Sequence, residues 1–279
     1  MTQSLSEKIV VKIKEFTGHE HIILTSRGNS AIYVALSLAK EFGSNGKILI
    51  PDQGGWLTYK QYSEKLKLKV SELETDYGVV DINDLKLKLK GSSALIFSNP
   101  ASYYAEQPLE EIYDVCKEKA VVVLDVTGSI GTNTDGKYAD ILVCSFGKWK
   151  PVNIGYGGFI SFNDNKYLEF VEKLTEEKQN LSFEGSSEKY NQLLNQLDNL
   201  YNKYKFFSEI NKKIKNDLKD FDIIHKNKKG INVIVKFEDE IEKEKIIKYC
   251  NNNKYDYVLC PKYIKVNEKA VSIEVKRLK

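Results

Sequence analysis

Apolar positions along the chain change their period twice. Over residues 5–16 they recur every three or four positions, with Ile9, Val10, Ile13 and Phe16 on one stripe, so the spacing predicts a helix. From residue 20 to about 165, short continuous apolar runs alternate with helical stretches. The runs at 21–25, 46–51, 68–73, 94–98, 120–125, about 140–145 and 157–162 read as strands, and those at 31–41, 57–66, 81–89 and near 108–118 as helices. Strands that are apolar throughout and alternate with helices predict an α/β fold with a mainly parallel sheet, covered by helices on both faces.

The character changes near residue 163. Between 187 and 220 the positions Tyr190, Leu194, Leu197, Leu200, Tyr204, Phe207, Ile210, Ile214 and Leu218 keep a spacing of three and four, which predicts one long helix. Compact elements follow it: strands at 231–237, 257–260, 263–266 and 270–275, and a helix at 239–252. A coiled-coil tail is therefore the poorer reading, and a helix linking a large unit to a small α/β unit is the better one. The division expected is an N-terminal helix over 1–19, a large domain over 20–165 and a small C-terminal domain over 166–279.

Composition narrows the function without naming it. A hydrophobic fraction of 42% and a charged fraction of 29% are those of an ordinary globular protein. No apolar run approaches the roughly 20 residues that span a bilayer. The N-terminus mixes acidic and basic residues with its apolar ones, unlike a signal peptide, so a cytoplasmic protein without membrane contact is expected. A net charge of +3 is too small to argue for nucleic acid. Cys116, Cys144, Cys250 and Cys260 form no CxxC pair, and His19, His21 and His225 lack metal-ligand spacing, so neither disulfides nor a metal site is expected. Arginine occurs only at Arg27 and Arg277, which leaves phosphate or carboxylate recognition to paired residues or backbone amides.

The candidate chemistry gathers where strands end. Gly28, Asn29 and Ser30 open a helix after the first strand, and Trp56 follows Gly54 and Gly55 after the second. Asn99 follows the fourth strand, Asp125 ends the run Val121 to Leu124, and Lys150 follows the strand ending at Ser145. In open α/β sheets that edge is where ligands bind. The stretch from Ser145 through Lys148 and Lys150 to Gly155, Gly157 and Gly158 sets an amine at a strand end beside a glycine-rich turn.

This stretch resembles the Schiff-base lysine segment of pyridoxal-phosphate (PLP) enzymes of the aspartate-aminotransferase fold (fold type I), and most closely that of the DegT/StrS sugar-aminotransferase family. The resemblance implies a seven-stranded large-domain sheet, PLP as cofactor and Lys150 as the reactive lysine, with Lys148 as a rival. It makes Asp125 the carboxylate on the pyridine nitrogen, 25 residues before Lys150 with one strand between. Gly28, Asn29, Ser30 and Ser145 would form the phosphate site, and Trp56 would cover the ring. Arg27, Asn99, Tyr156 and Arg277 are the substrate-side candidates.

Three positions depart from the family. Tyr156 stands where it has glutamate and Gly128 where it has glutamine, and the place of the carboxylate-binding arginine falls near Ser272, with only Arg277 close. The activity implied is a PLP-dependent aminotransferase acting on an amino acid or an amino/keto sugar. The alternatives are a PLP lyase or desulfurase, and a non-catalytic regulator or scaffold using its lysine-rich C-terminal part. The resemblance also implies a homodimer with sites at the subunit boundary, whose interface would cover the Ile9, Val10, Ile13 and Phe16 stripe.

Overall fold

The computed structural model describes residues 4–43, 45–132, 135–262 and 266–278. Its main sheet is built from β1 (His21–Thr25), β2 (Lys47–Pro51), β3 (Lys69–Leu73), β6 (Ala94–Ser98), β7 (Val121–Asp125), β8 (Ile141–Ser145) and β9 (Gly158–Phe162). A short hairpin, β4 (Thr75–Asp76) with β5 (Val79–Val80), lies apart from it. The strand order is β1-β9-β8-β7-β6-β2-β3, with β9 antiparallel to both neighbours and the other pairs parallel. This is the mainly parallel sheet that the apolar runs predict, with the seven strands that the resemblance implies.

Why the runs are apolar throughout is visible in β7. Val122 and Leu124 join the core on one face of the sheet, and Val123 joins the core on the other. Alternate residues point to opposite faces, so a strand covered on both sides has no polar face to show. One face is covered by α2 (Gly28–Phe42), whose Ala31, Val34, Ala35 and Leu38 are buried against Ile48, Ile96, Val143 and Ile160. The other is covered by α1 (Leu5–Thr17), α4 (Ile82–Lys88) and α5 (Leu109–Cys116). Helix α3 (Leu57–Lys65) packs beside α2.

Helix α1 begins at a capping box, in which the Ser4 hydroxyl accepts from Glu7 N at 3.2 Å and the Glu7 carboxylate accepts from Ser4 N at 2.7 Å. It ends at Gly18 with φ +69°. Ile9 and Ile13 are fully buried in the chain's own core, and α1 lies against α7 (Ser187–Asp198). Ile9 and Ile13 of the stripe expected to be covered by a second subunit are thus covered within the chain, with Phe16 packed on the same core and Val10 half-buried.

The long helix expected over 187–220 is two helices, α7 and α8 (Leu200–Asp217), broken at Asn199. The break lets one apolar series serve two cores. Leu193, Leu197 and Leu200 pack under the large sheet, whereas Phe207, Ile214 and Leu218 pack in a separate C-terminal core. A further helix, α6 (Asn165–Glu177), buries Tyr167 and Val171 against the α2 side of the sheet. Its lysine- and glutamate-rich outer face hid it from the apolar pattern. The C-terminal unit adds α9 (Glu240–Asn252) and an antiparallel sheet ordered β10-β12-β11, from β10 (Val233–Lys236), β11 (Tyr257–Leu259) and β12 (Ala270–Ile273). The strand expected at 263–266 falls largely on residues outside those described. Among the described residues no helix is long and apolar enough to cross a membrane.

Candidate active site

A cleft opens at the carboxyl ends of β2, β6, β7 and β8. Its lining includes Gly28, Asn29, Trp56, Tyr59, Tyr103, Asp125, Thr127, Ser145 and Lys150. It lies where the chain, having added β3 outside β2, crosses back to add β6 on the other side. Such a reversal of strand order leaves a crevice between diverging loops.

Asp125 ends β7 and is buried. Its Oδ2 accepts from the Tyr59 hydroxyl at 2.9 Å, and its Oδ1 accepts from Thr127 N at 3.0 Å and from the Thr127 hydroxyl at 2.5 Å. Thr127 Oγ1 in turn accepts from Ser145 N at 3.0 Å. A buried charge at a strand end is costly unless it is paired. Asp125 meets two neutral hydroxyls and an amide, and forms no ion pair among the described residues. Burial and the neighbouring Asp125 charge raise Tyr59 well above the usual phenol range, so it remains a donor to the carboxylate.

Lys150 is partly buried, and its Nζ donates to the Tyr103 hydroxyl at 2.6 Å. The same nitrogen lies 5.1 Å from the centre of the Trp56 ring. Burial pushes the Lys150 amine below the usual lysine range, against the pull of Asp125 and Glu274 in the other direction. Lys148, by contrast, is exposed and stands over the Trp149 ring at 4.7 Å, outside the cleft lining.

The start of α2 supplies backbone donors. Its preceding residue, Arg27, offers no side-chain cap, and the positive end of a helix dipole favours an anion. Gly28 is required by a close approach: a Cβ there would stand 2.4 Å from Ser145 Cβ. The glycine therefore lets the helix start and the end of β8 share one small space. Asn29 Oδ1 accepts from Trp56 Nε1 at 3.0 Å, which fixes the indole over the cleft. Ser145 Oγ accepts from Gly147 N at 3.2 Å.

Five of the expected residues do not line this cleft. Ser30 shares a hydrogen bond with the Ser26 hydroxyl at 2.8 Å. Asn99 Oδ1 accepts from Gln107 N at 3.0 Å, so its side chain organises the loop after β6. Arg27 is exposed. Tyr156 packs on Phe183 with centroids 5.2 Å apart, and its hydroxyl accepts from Glu184 N at 3.3 Å. Arg277 is engaged by Glu274 at 3.4 Å and Asp256 at 3.6 Å, and its guanidinium stacks 4.5 Å over Trp149.

Sequence reasoning missed Tyr59, Thr127 and Tyr103. Thr127 carried a signal, since a threonine two residues after a strand-ending aspartate is well spaced to hydrogen-bond it. Tyr59 and Tyr103 reach the site from a helix and a loop, and no local pattern announces them. The structure also explains the missing glutamine at Gly128. A Cβ there would lie 2.9 Å from Pro100 and 3.0 Å from the Tyr103 ring, so Tyr103 fills the space.

Two family models match the chain. One, described as the MJ1341 family C-terminal domain, covers residues 200–279. The other covers residues 5–207 and is described as the DegT/DnrJ/EryC1/StrS aminotransferase family. No curated protein matches. Among solved structures, a DegT/DnrJ/EryC1/StrS aminotransferase from Brucella abortus is similar at 14% identity with a TM-score of 0.77, over 98% of this chain and 86% of that one. Helicobacter pylori PseC, an aminotransferase involved in the biosynthesis of pseudoaminic acid, is similar at 14% identity and a TM-score of 0.76, with the same coverage. A variant of S. paucimobilis serine palmitoyltransferase with bound PLP is similar at 15% identity and a TM-score of 0.75, over 98% of this chain and 71% of that one. At such identities these likenesses speak for the fold, which is that of the fold type I PLP-dependent transferases. With more than two thirds of its length matched by one family model, the chain belongs to the DegT/DnrJ/EryC1/StrS aminotransferase family.

Proposed function

We propose that the chain is an aminotransferase that binds pyridoxal 5'-phosphate covalently through Lys150 and acts on an amino acid or an amino/keto sugar. The observation that carries this reading is the Lys150 amine, lowered by burial, in one cleft with the buried Asp125 carboxylate. The residues present fit the cofactor. Asp125 has only neutral hydrogen-bond partners, so its carboxylate would suit a protonated ring nitrogen, and such a pair is stronger than a neutral hydrogen bond. The open start of α2 beside Gly28 and Ser145 suits the phosphate, and the anchored Trp56 suits the flat ring. Bound there, the cofactor would supply an electron sink that makes a bond at the substrate α-carbon labile. Lys150 Nζ would take the proton from that carbon and return it, a task that favours an amine with depressed basicity.

The desulfurase alternative is disfavoured. It requires a reactive thiolate, yet burial pushes Cys116, Cys250 and Cys260 up to about 12 and Cys144 well above the usual thiol range. We also propose a homodimer meeting at the cleft mouth, where Leu57 and Trp149, next to Trp56 and Lys150, are each 45% exposed. Light scattering of the PLP-loaded protein tests this, and a fully active monomer would refute it. The central experiment is borohydride reduction of the PLP-loaded protein. The visible band should vanish and the label should be recovered on a peptide containing Lys150. Label on Lys148 would overturn the register, and no label would sink the reading.

A further inference from the structure

Tyr103 is shared by two lysines from opposite parts of the chain. Lys150 Nζ donates to its hydroxyl at 2.6 Å and lies 4.8 Å from its ring centre, and Lys276 Nζ lies 4.5 Å from the same ring centre. Lys150 comes from the loop after β8, whereas Lys276 sits in the 3-10 turn Val275–Arg277 after β12. The phenol is also held through its backbone. Its carbonyl accepts from Ile231 N at 2.7 Å and Asn232 N at 3.0 Å, and Lys276 N donates to Ile231 O at 3.0 Å.

Lys276 is ion-paired with Glu274, and the two are 4% and 0% exposed. Glu274 also accepts from the Ser272 hydroxyl at 2.7 Å and from Asn232 Nδ2 at 3.1 Å, with Arg277 Nε at 3.4 Å. A buried pair of this kind is a poor way to gain stability, because two charges are taken out of water to make it and apolar side chains would fill the volume as well. Its location against the ring that meets the Lys150 amine gives it a different use.

We propose that Tyr103 is the hydrogen-bond partner that holds the Lys150 amine whenever that amine is free, and that the Glu274–Lys276 pair positions the phenol for it. Lys276 is then a positioning residue, acting through Tyr103, by which the C-terminal unit reaches the reactive nitrogen. The inference rests on reading Lys150 as the reactive amine. The charged and titratable groups facing that amine are Asp125, Cys144 and Tyr103 from the large unit and Glu274, Lys276 and Arg277 from the C-terminal one. Burial raises the Tyr103 phenol well above its usual range, so it stays protonated. Burial also brings Lys276 down to about 8, against the pull of Glu274.

The test is competitive acetylation of the full chain, freed of cofactor by dialysis against hydroxylamine, with Lys150 and the exposed Lys148 read by peptide mass across a pH series. Tyr103→Phe removes only the hydroxyl. A hydrogen bond to an ammonium is stronger than one to a neutral amine, so its loss should lower the Lys150 midpoint. Lys276→Met removes a nearby positive charge, which raises that midpoint, and also loosens the phenol, which lowers it. Its shift should therefore be more positive by about one pH unit in the Tyr103→Phe background than in the wild type, while Lys276→Arg should leave the wild-type midpoint nearly unchanged. Should Lys276→Met not fold, Lys276→Gln makes the same charge deletion and can still hydrogen-bond Glu274. A fall in Tyr103→Phe together with a Lys276→Met shift that differs between the wild-type and Tyr103→Phe backgrounds supports the proposal. An unmoved midpoint in Tyr103→Phe overturns the partner role, and equal shifts for Lys276→Met in the two backgrounds overturn the positioning role, leaving Lys276 to act by its charge alone. The labelling uses no cofactor, so failure of PLP to bind would remove the aminotransferase reading without deciding this one.

Discussion

On the large-sheet side of the cleft, Asp125, Ser145 and Lys150 stand within a few residues of a strand end, and their partners there are hydroxyls, amides and aromatic rings. In the C-terminal corner, Glu274, Lys276 and Arg277 are bound to one another, to Asp256 and to two rings. The first set has its carboxylate and its amine without an ion pair among the described residues, so both can meet something that enters the cleft. The second has largely matched its charges internally, so it is suited to hold geometry. The difference also bears on the arginine sought for substrate. Arg277 is near the right place in sequence, but its guanidinium is already engaged and stacked.

The largest expected effects lie on the large-sheet side. Lys150→Ala should abolish the borohydride-stable label and lower turnover by at least about a thousandfold, since nucleophile and proton carrier vanish together. Asp125→Asn should keep the fold, because Tyr59 and Thr127 can still hydrogen-bond an amide, but lower turnover by about a hundred- to a thousandfold. Cofactor affinity, followed by absorbance titration, should fall less. If Arg277→Ala cost more turnover than Asp125→Asn, the comparison of the two sides would be inverted.

That contrast also marks what was legible beforehand. The sheet could be read because burial on both faces forces strands such as β7 to be apolar throughout. The candidate cofactor residues could be read because strand ends, a glycine that admits Ser145 and a lysine before a glycine-rich turn are local features. The break at Asn199 could not, since the apolar spacing continues through it while the core it serves changes. Nor could Tyr103 or Lys276. Each owes its place to a contact between segments more than a hundred residues apart, and one lysine among many carries no mark of burial.

An intermediate effect is expected in the C-terminal corner. Glu274→Gln should lower unfolding free energy at pH 7 by about 3 kcal/mol, because it leaves Lys276 buried without its anion. The pH dependence has a definite sign. Burial pushes the Glu274 carboxyl up, but Lys276 and its hydrogen bond prevail and hold it below the usual range. A group depressed in the folded state contributes stability above its unfolded pKa, about 4.3, and loses that contribution as pH falls through the folded value. The gap between wild type and variant, from urea unfolding, should therefore narrow below about pH 4.3. A gap that widened below about pH 4.3 would mean that the Glu274 carboxyl is not held below its usual range in the folded state.

The smallest effects sharpen the comparison from outside the cleft. Tyr156→Phe should be nearly silent, since the ring keeps its contact with Phe183 and only a 3.3 Å hydrogen bond from Glu184 N is lost. Arg27→Ala is the more telling of the two. With only two arginines in the chain, one beside the start of α2 invites a role in gripping an anion. The side chain is exposed, however, and makes no capping bond, while the start of α2 at Gly28 and Asn29 and the residue Ser145 already line the cleft. An exposed charge acts through water and is screened by salt, so its loss should change KM and cofactor affinity by less than about twofold, and by less still at 0.5 M salt. A loss above tenfold that Arg27→Lys restores would return Arg27 to the binding machinery and show that backbone amides alone do not hold the anion.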